Sequence, residues 1–311
     1  MDTVVVTTCS ANHLAQAKGF GNSLLRFNPT YKYIIGLADK LPANIKRESF
    51  APYEIVEVYE LNIPEFDEMY KRYNTFELNC ALKSFFLAYA MKTYQPSKLL
   101  FMDSDMVVFD SLEYISKLLD NHSILLTPHI FSPFPVDQDK PQERDILKAG
   151  VYNAGFLALR NDDTGNAFLK WWTERMVDQC YEKPKLGMVV DQNWLNLVPV
   201  YYNNVKIIEH KGCNVAYWNL HERKVEKQDG KYIVNEKYPL LFFHFSGYQF
   251  SLPDTVSRHQ SRYGMQDFPV VKELFSIYHE MLKINGHEEM LKTRCFYRKE
   301  KSWMQKMGLK K

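Results

Sequence analysis

The stretch KLLFMDSDMVVFDSL, residues 98–112, decides how this chain reads. Leu99, Leu100, Phe101 and Met102 form an apolar run of the kind buried in parallel sheets, and residues 106–109 form a second. Between them stands Asp103-Ser104-Asp105. Side chains alternate faces along an extended backbone, so both carboxylates are expected on one side, at a strand's C-terminal end where open α/β sheets bind ligands. Nothing basic lies within the motif, and desolvated paired carboxylates are costly without a cation. Oxygen ligands of this kind suit Mn²⁺ or Mg²⁺. The pattern predicts a divalent metal holding a phosphorylated substrate; two surface aspartates in a turn are the plain alternative.

Outward from this motif the chain reads as α/β. Strands are expected at residues 4–8, 33–37 and 54–59, with an amphipathic run through Leu14, Ala17, Phe20, Leu24 and Leu25 after the first. Residues 65–94 are helical in pattern, with Phe76, Cys80, Phe85 and Tyr89 at apolar positions, and feed into the Asp-Ser-Asp strand. Later strands are expected at 123–127, 156–159 and 240–245, and Trp171 and Trp172 fall in another helix. After Pro253 a loop with Arg and His precedes a helix over 270–291 and a tail. The economical division is a catalytic domain over residues 1–250 and a helical C-terminal extension over 251–311.

The 311 residues can bury a substantial core, and 46% apolar with 24% charged residues is ordinary globular composition. The formal charge of +2 hides an asymmetry: residues 292–311 sum to +7 and the rest of the chain to −5. Aromatic residues and methionines interleave with the tail's charges, which suits peripheral contact with anionic lipid headgroups; a solvated terminus is the alternative. An acidic body with dispersed basic residues argues against nucleic-acid binding. Five cysteines without CxxC spacing fit a reducing cytoplasm. The opening MDTVVVTT reads as a first strand and not a signal peptide, and no run approaches the roughly 20 apolar residues of a spanning helix.

Three further constellations carry chemistry. Tyr152-Asn153-Ala154-Gly155 precedes the strand FLAL; Gly155 permits close backbone approach and the Asn153 amide could bind a hydroxyl, though a turn would explain the segment as well. Asp191-Gln192-Asn193-Trp194 enters a helix, where Asp191 could simply be its cap. In PLLFFHFSGY, His244 and Gly247 follow an apolar strand, and His244 is a candidate third metal ligand because imidazole suits Mn²⁺ better than Mg²⁺.

Together these segments resemble the metal-dependent nucleotide-sugar transferases of the GT-A fold, specifically glycosyltransferase family 8. Asp103-Ser104-Asp105, Asn153-Ala154-Gly155, Asp191-Gln192 and His244-Phe245-Ser246-Gly247 stand in that family's order over roughly residues 1–250. The resemblance implies a mixed, mainly parallel sheet flanked by helices. It implies that Asp103, Asp105 and His244 ligate Mn²⁺, which bridges the phosphates of a UDP-sugar and stabilises the departing diphosphate. Thr7, Thr8 and Ser104 would line the nucleoside site, with Gly247 beside the phosphates. Lys83 would be the basic residue near the donor, unless it is an ordinary exposed helix lysine. Asn153, Asp191 and Gln192 would surround the transferred sugar, which the resemblance implies is passed with retention of configuration to a glycan or lipid-linked acceptor.

One departure stands out. The family commonly follows its His-Phe-x-Gly with a Lys-Pro-Trp segment, and here that lysine is missing; Arg258 or Arg262 could supply the charge. Between the donor motifs, Tyr217, Trp218, Asn219 and His221 form a candidate acceptor platform, with core packing of Trp218 as the alternative. The rival readings are a haloacid-dehalogenase-type phosphatase, using Asp103 and Asp105 with Asp162-Asp163 as a late metal pair, and a nucleotide-sugar-binding protein without turnover.

Overall fold

In the computed structural model, which describes residues 2–297, the apolar runs become strands β1 (Thr3–Cys9), β2 (Lys32–Leu37), β3 (Glu54–Glu57), β4 (Lys98–Met102), β5 (Met106–Val108), β6 (Ile124–Pro128) and β7 (Tyr152–Arg160). Six of these, all but β5, join Val205–Ile207 in one sheet, in the order Val205–Ile207, β6, β7, β4, β1, β2, β3. Every pairing is parallel except those of β7, which runs antiparallel between β4 and β6. The sheet is therefore mixed and mainly parallel, as the continuous apolar runs require.

Alternation along β4 divides its side chains between two cores. Leu99 and Phe101 pack with α3 (Thr75–Tyr94) and the helix Asp163–Met176, whereas Leu100 and Met102 pack with α1 (Leu14–Phe27) and the helix Glu113–Leu119. A third apolar cluster lies under the helix Pro269–Ile284, where the rings of Phe245 and Tyr278 stack with centroids 4.1 Å apart.

Several expected boundaries move for local reasons. The helical pattern over 65–94 is two helices, α2 (Phe66–Arg72) and α3, because Asn74 forms a capping box with Glu77: each side chain accepts the other's backbone N–H at 2.9 Å. Residues 58–61 form a 3₁₀ turn instead of prolonging β3. The Tyr-Asn-Ala-Gly segment is not a turn before a strand but the start of β7 itself. The last long helix ends at Ile284, and a short one follows at His287–Met290.

After β4 the chain turns out of the sheet, and this turn creates the site. Met106 N–H donates to the Asp103 carbonyl at 3.3 Å, so Asp-Ser-Asp is a turn and not extended backbone. β5 then pairs antiparallel with Phe242–His244, His244 opposite Met106. Phe245 N–H closes the ladder on the Asp105 carbonyl at 2.8 Å.

Cys9, Cys80, Cys180, Cys213 and Cys295 are all unpaired. Among the described residues no helix is long and apolar enough to cross a membrane. Of the tail, residues 292–297 are described: Phe296 N–H donates to Asp39 at 2.8 Å and Tyr297 packs edge-on against Phe66. Most of the expected membrane-contacting stretch, residues 298–311, lies outside the described residues.

Candidate functional site

Asp103, Asp105 and His244 converge, each offering one ligand atom within 4.8 Å of the others. His244 Nε2 lies 3.0 Å from Asp105 Oδ1 and 4.0 Å from Asp103 Oδ2. Burial works against charge on the imidazole, but Asp105 and then Asp103 outweigh it and raise the His244 pKa. Burial likewise opposes ionisation of Asp105, yet His244 holds that carboxyl below the usual range. The sequence expectation that these three side chains meet is met by the geometry, although a turn brings the carboxylates together. Ser104, between them, is buried.

Lys83 is not an exposed helix lysine. Only 7% exposed, it reaches from α3 over the Phe101 ring to Asp103 Oδ1 at 3.1 Å and Asp191 Oδ2 at 3.3 Å. Nor is Asp191 a helix cap: its side chain makes no capping bond to the following 3₁₀ turn and is buried against Lys83. Burial pushes the Asp191 carboxyl up, with Lys83 opposing. Burial also works against the Lys83 ammonium, but its two flanking carboxylates dominate and raise its pKa. The result is a buried cation shared between two anions.

Asn153 and Gln192 belong to a hydrogen-bonded lattice. Asn153 Nδ2 donates to Gln192 Oε1 at 3.1 Å and lies 3.3 Å from His129 Nε2; its Oδ1 accepts from Gly155 N–H at 3.2 Å and Asn214 Nδ2 at 3.0 Å. Gln192 also accepts from Ala154 N–H at 3.0 Å and donates to the Ala149 carbonyl at 3.0 Å. Every hydrogen-bonding position of the Asn153 amide is therefore taken within the protein, which corrects the expectation that it is free for a hydroxyl. What it does is hold the start of β7, so that Gly155 passes beside the cluster.

His129 and Asn214 escaped sequence reasoning because single polar residues among apolar neighbours carry no local signal. His129 Nδ1 lies 3.1 Å from the Val151 carbonyl, which fixes its proton there, and burial lowers its pKa to about 4. His13, after β1, and His259, after Gly247, were also missed. Burial lowers the pKa of both, and the Asp105 carboxylate works in the opposite direction, which puts both imidazoles within its field.

Thr7 and Thr8 do not line one wall. They sit on opposite faces of β1, and both buried hydroxyls lack a partner. Gly247 has φ +74°, and its carbonyl accepts from Arg258 N–H at 3.1 Å. Arg258 is exposed beside it. Arg262 is committed elsewhere, to Asp137 at 2.6 and 2.9 Å and to the carbonyls of Asp139 and Pro141. Trp218 packs edge-on against both His244 and His129, at 5.2 and 5.1 Å between centroids. It borders a cavity of about 210 Å³ with Tyr217, His129 and His259. Asn219, by contrast, is fully buried and bonds only to backbone groups.

Asp162 is separated from this cluster. It caps the helix Asp163–Met176 and follows Arg160, which pairs with Lys98 at the start of β4, whereas Asp103 follows the end of that strand. The late carboxylate pair required by the phosphatase reading therefore lies at the opposite end of β4 from Asp103.

No protein-family model matches the chain. Two uncharacterized proteins of Bacillus subtilis (strain 168) are similar in sequence. YfnF is 30% identical over 186 residues, which are 59% of this chain and 57% of YfnF, so the match spans little more than half of that protein. YfnD is 26% identical over 224 residues, 70% of this chain and 68% of YfnD. Among solved structures, the galactosyltransferase LgtC in complex with donor and acceptor sugar analogs aligns with TM-score 0.50 at 15% identity, over 87% of this chain and 95% of LgtC. The apo form of the glycosyltransferase GlyE of Streptococcus pneumoniae TIGR4 aligns with TM-score 0.50 at 16% identity, over 93% of this chain and 64% of GlyE. The architecture is the glycosyltransferase fold of GT-A type.

Proposed function

We propose that this chain is a Mn²⁺-dependent glycosyltransferase that moves a hexose from a UDP-sugar to a glycan or lipid-linked acceptor, with retention of configuration. The observation that carries the reading is the convergence of Asp103, Asp105 and His244 at the ligand-binding edge of this fold. Their chemistry fits the metal: two carboxylate oxygens and one imidazole suit Mn²⁺, and the His244–Asp105 contact at 3.0 Å is one a cation would replace. His244 Nδ1, buried without a partner, leaves Nε2 as the atom aimed at the carboxylates. Bound there, the ion would supply Lewis-acid stabilisation of the departing diphosphate.

The chain's own residues do the rest. Lys83, held by Asp103 and Asp191, adds fixed positive charge where the donor's phosphates and sugar would meet. The lattice of Asn153, Gln192 and His129 holds β7 rigid behind the reacting centre. Tyr217 and Trp218 wall the cavity on the acceptor side, where aromatic faces suit a sugar ring. In this reading the enzyme works in the cytoplasm, peripheral at the inner membrane face through residues 292–311.

Calorimetric titration of UDP, with Mn²⁺ and then with EDTA, tests the reading. Binding that needs the metal supports it and directs a screen of UDP-sugars for hydrolysis and transfer. No binding in either condition overturns it, and binding without turnover of any UDP-sugar would instead make the chain a nucleotide-sugar-binding protein.

A further inference from the structure

Resting on that reading, we propose that the imidazole of His259 binds the diphosphate of the donor, with Arg258 orienting it. A nucleoside diphosphate presents more phosphate oxygens than one divalent ion held by two aspartates can engage, so a further hydrogen-bond donor is needed beside the metal. Two of the basic side chains near the site are already engaged. Lys83 is shared between Asp103 and Asp191, and Arg262 is bonded to Asp137 and two carbonyls.

The segment after Gly247 is built to present His259. Arg258 N–H donates to the Gly247 carbonyl at 3.1 Å, Ser257 Oγ donates to the Ser246 carbonyl at 2.9 Å, and His259 N–H returns to Ser257 Oγ at 3.2 Å. This folds the imidazole down onto Gly247: a Cβ at that glycine would fall 2.5 Å from His259 Cδ2. Gly247 is thus glycine both for its φ of +74° and for this approach. The ring faces Tyr217, with centroids 6.2 Å apart, and the glycine on which it lies follows His244 by three residues.

Its hydrogen-bonding state is also set. Arg258 Nε lies 3.3 Å from His259 Nε2, and a guanidinium can only donate, so Nε2 accepts and Nδ1 carries the proton. The result is an N–H donor on an exposed residue within the field of Asp105, on a backbone tied to Ser246 and Gly247, just after the strand that supplies His244.

The test compares UDP, which has the second phosphate, with UMP, which lacks it, each titrated calorimetrically with Mn²⁺ into the full chain. His259→Phe keeps the ring on Gly247 and Tyr217 but removes the N–H. We expect it to weaken UDP binding about 10-fold, the size of one charge-assisted hydrogen bond, with UMP binding unchanged. His259→Asn, whose amide can take the place of Nδ1–H, should recover most of the loss. If His259→Phe fails to fold, His259→Ala carries the same comparison. UDP binding equal to wild type, or equal losses for UDP and UMP, overturns the assignment of His259 alone. Wild-type protein that binds no UDP with Mn²⁺ overturns the donor reading, and this assignment with it.

Discussion

A Cβ on Gly155 would lie 2.6 Å from Cε1 of His244, closer than packed atoms come. It would also meet Asp103 Oδ2 at 2.8 Å, so the bare backbone of β7 is what lets two of the three metal-ligand candidates close on each other. Neither group can retreat cheaply, because Trp218 packs on His244 and Lys83 holds Asp103. Gly155→Ala is therefore expected to weaken Mn²⁺-dependent UDP binding at least about 10-fold, at an overpacking cost of about 1–3 kcal/mol. Calorimetry and urea unfolding on the same preparation check both parts, and undiminished binding would show that the site tolerates a spread His244–Asp103 pair.

Asp105→Ala removes a carboxylate from a partly exposed turn and leaves the core untouched. Metal-dependent UDP binding and sugar transfer should be abolished, while thermal unfolding shifts by only a few degrees, as for surface changes of about 0.5 kcal/mol. Full activity in this variant would remove the metal assignment.

Lys83→Met should destabilise strongly, because Asp191, only 1% exposed, would lose its cation. Breaking a buried pair from one side costs about 3–5 kcal/mol. Adding Asp191→Asn should return a large part of that loss, since the uncompensated charge disappears. A double variant no more stable in urea than Lys83→Met would mean that the two residues are not coupled.

Burial lowers the pKa of His129, His210 and His287 to about 4. A histidine depressed in the fold binds its proton first in the unfolded chain, so the stability it contributes is complete above pH 6.5 and is lost as pH falls toward 4. For His129, only 5% exposed, the loss amounts to roughly 3 kcal/mol. Urea unfolding at several pH values across that window should show stability falling with acid, and His129→Gln should flatten the slope by one proton. An unchanged slope in the variant would mean that His129 is charged in the native state.

Much of this molecule was legible in the linear order of its residues. The runs through Val4–Val6 and Leu99–Met102 are apolar at every position, and strands buried on both faces demand that, so β1 and β4 and the parallel character of the sheet could be read directly. The position of Asp103 and Asp105 after such a strand, with His244 after another, marked the cluster. Local exceptions came from side chains that start a new element within a continuous pattern, such as Asn74 with Glu77 at the head of α3, or from a ladder formed out of sequence, such as β5 with Phe242–His244.

The sequence by itself determined most of the central strands and helices, though not the sheet strand Val205–Ile207, and which carboxylates stood at a strand end, because those properties depend on neighbours along the chain. Only the tertiary structure decided what each polar group finds opposite it. It turned Lys83 from a helix lysine into a cation shared by Asp103 and Asp191, used up the Asn153 amide inside the protein, and laid His259 on Gly247. The physical reason is that charge compensation and hydrogen-bond saturation depend on the groups that packing brings into contact, here from segments up to 108 residues apart in the Lys83–Asp191 pair, and such pairings leave no periodic trace in sequence.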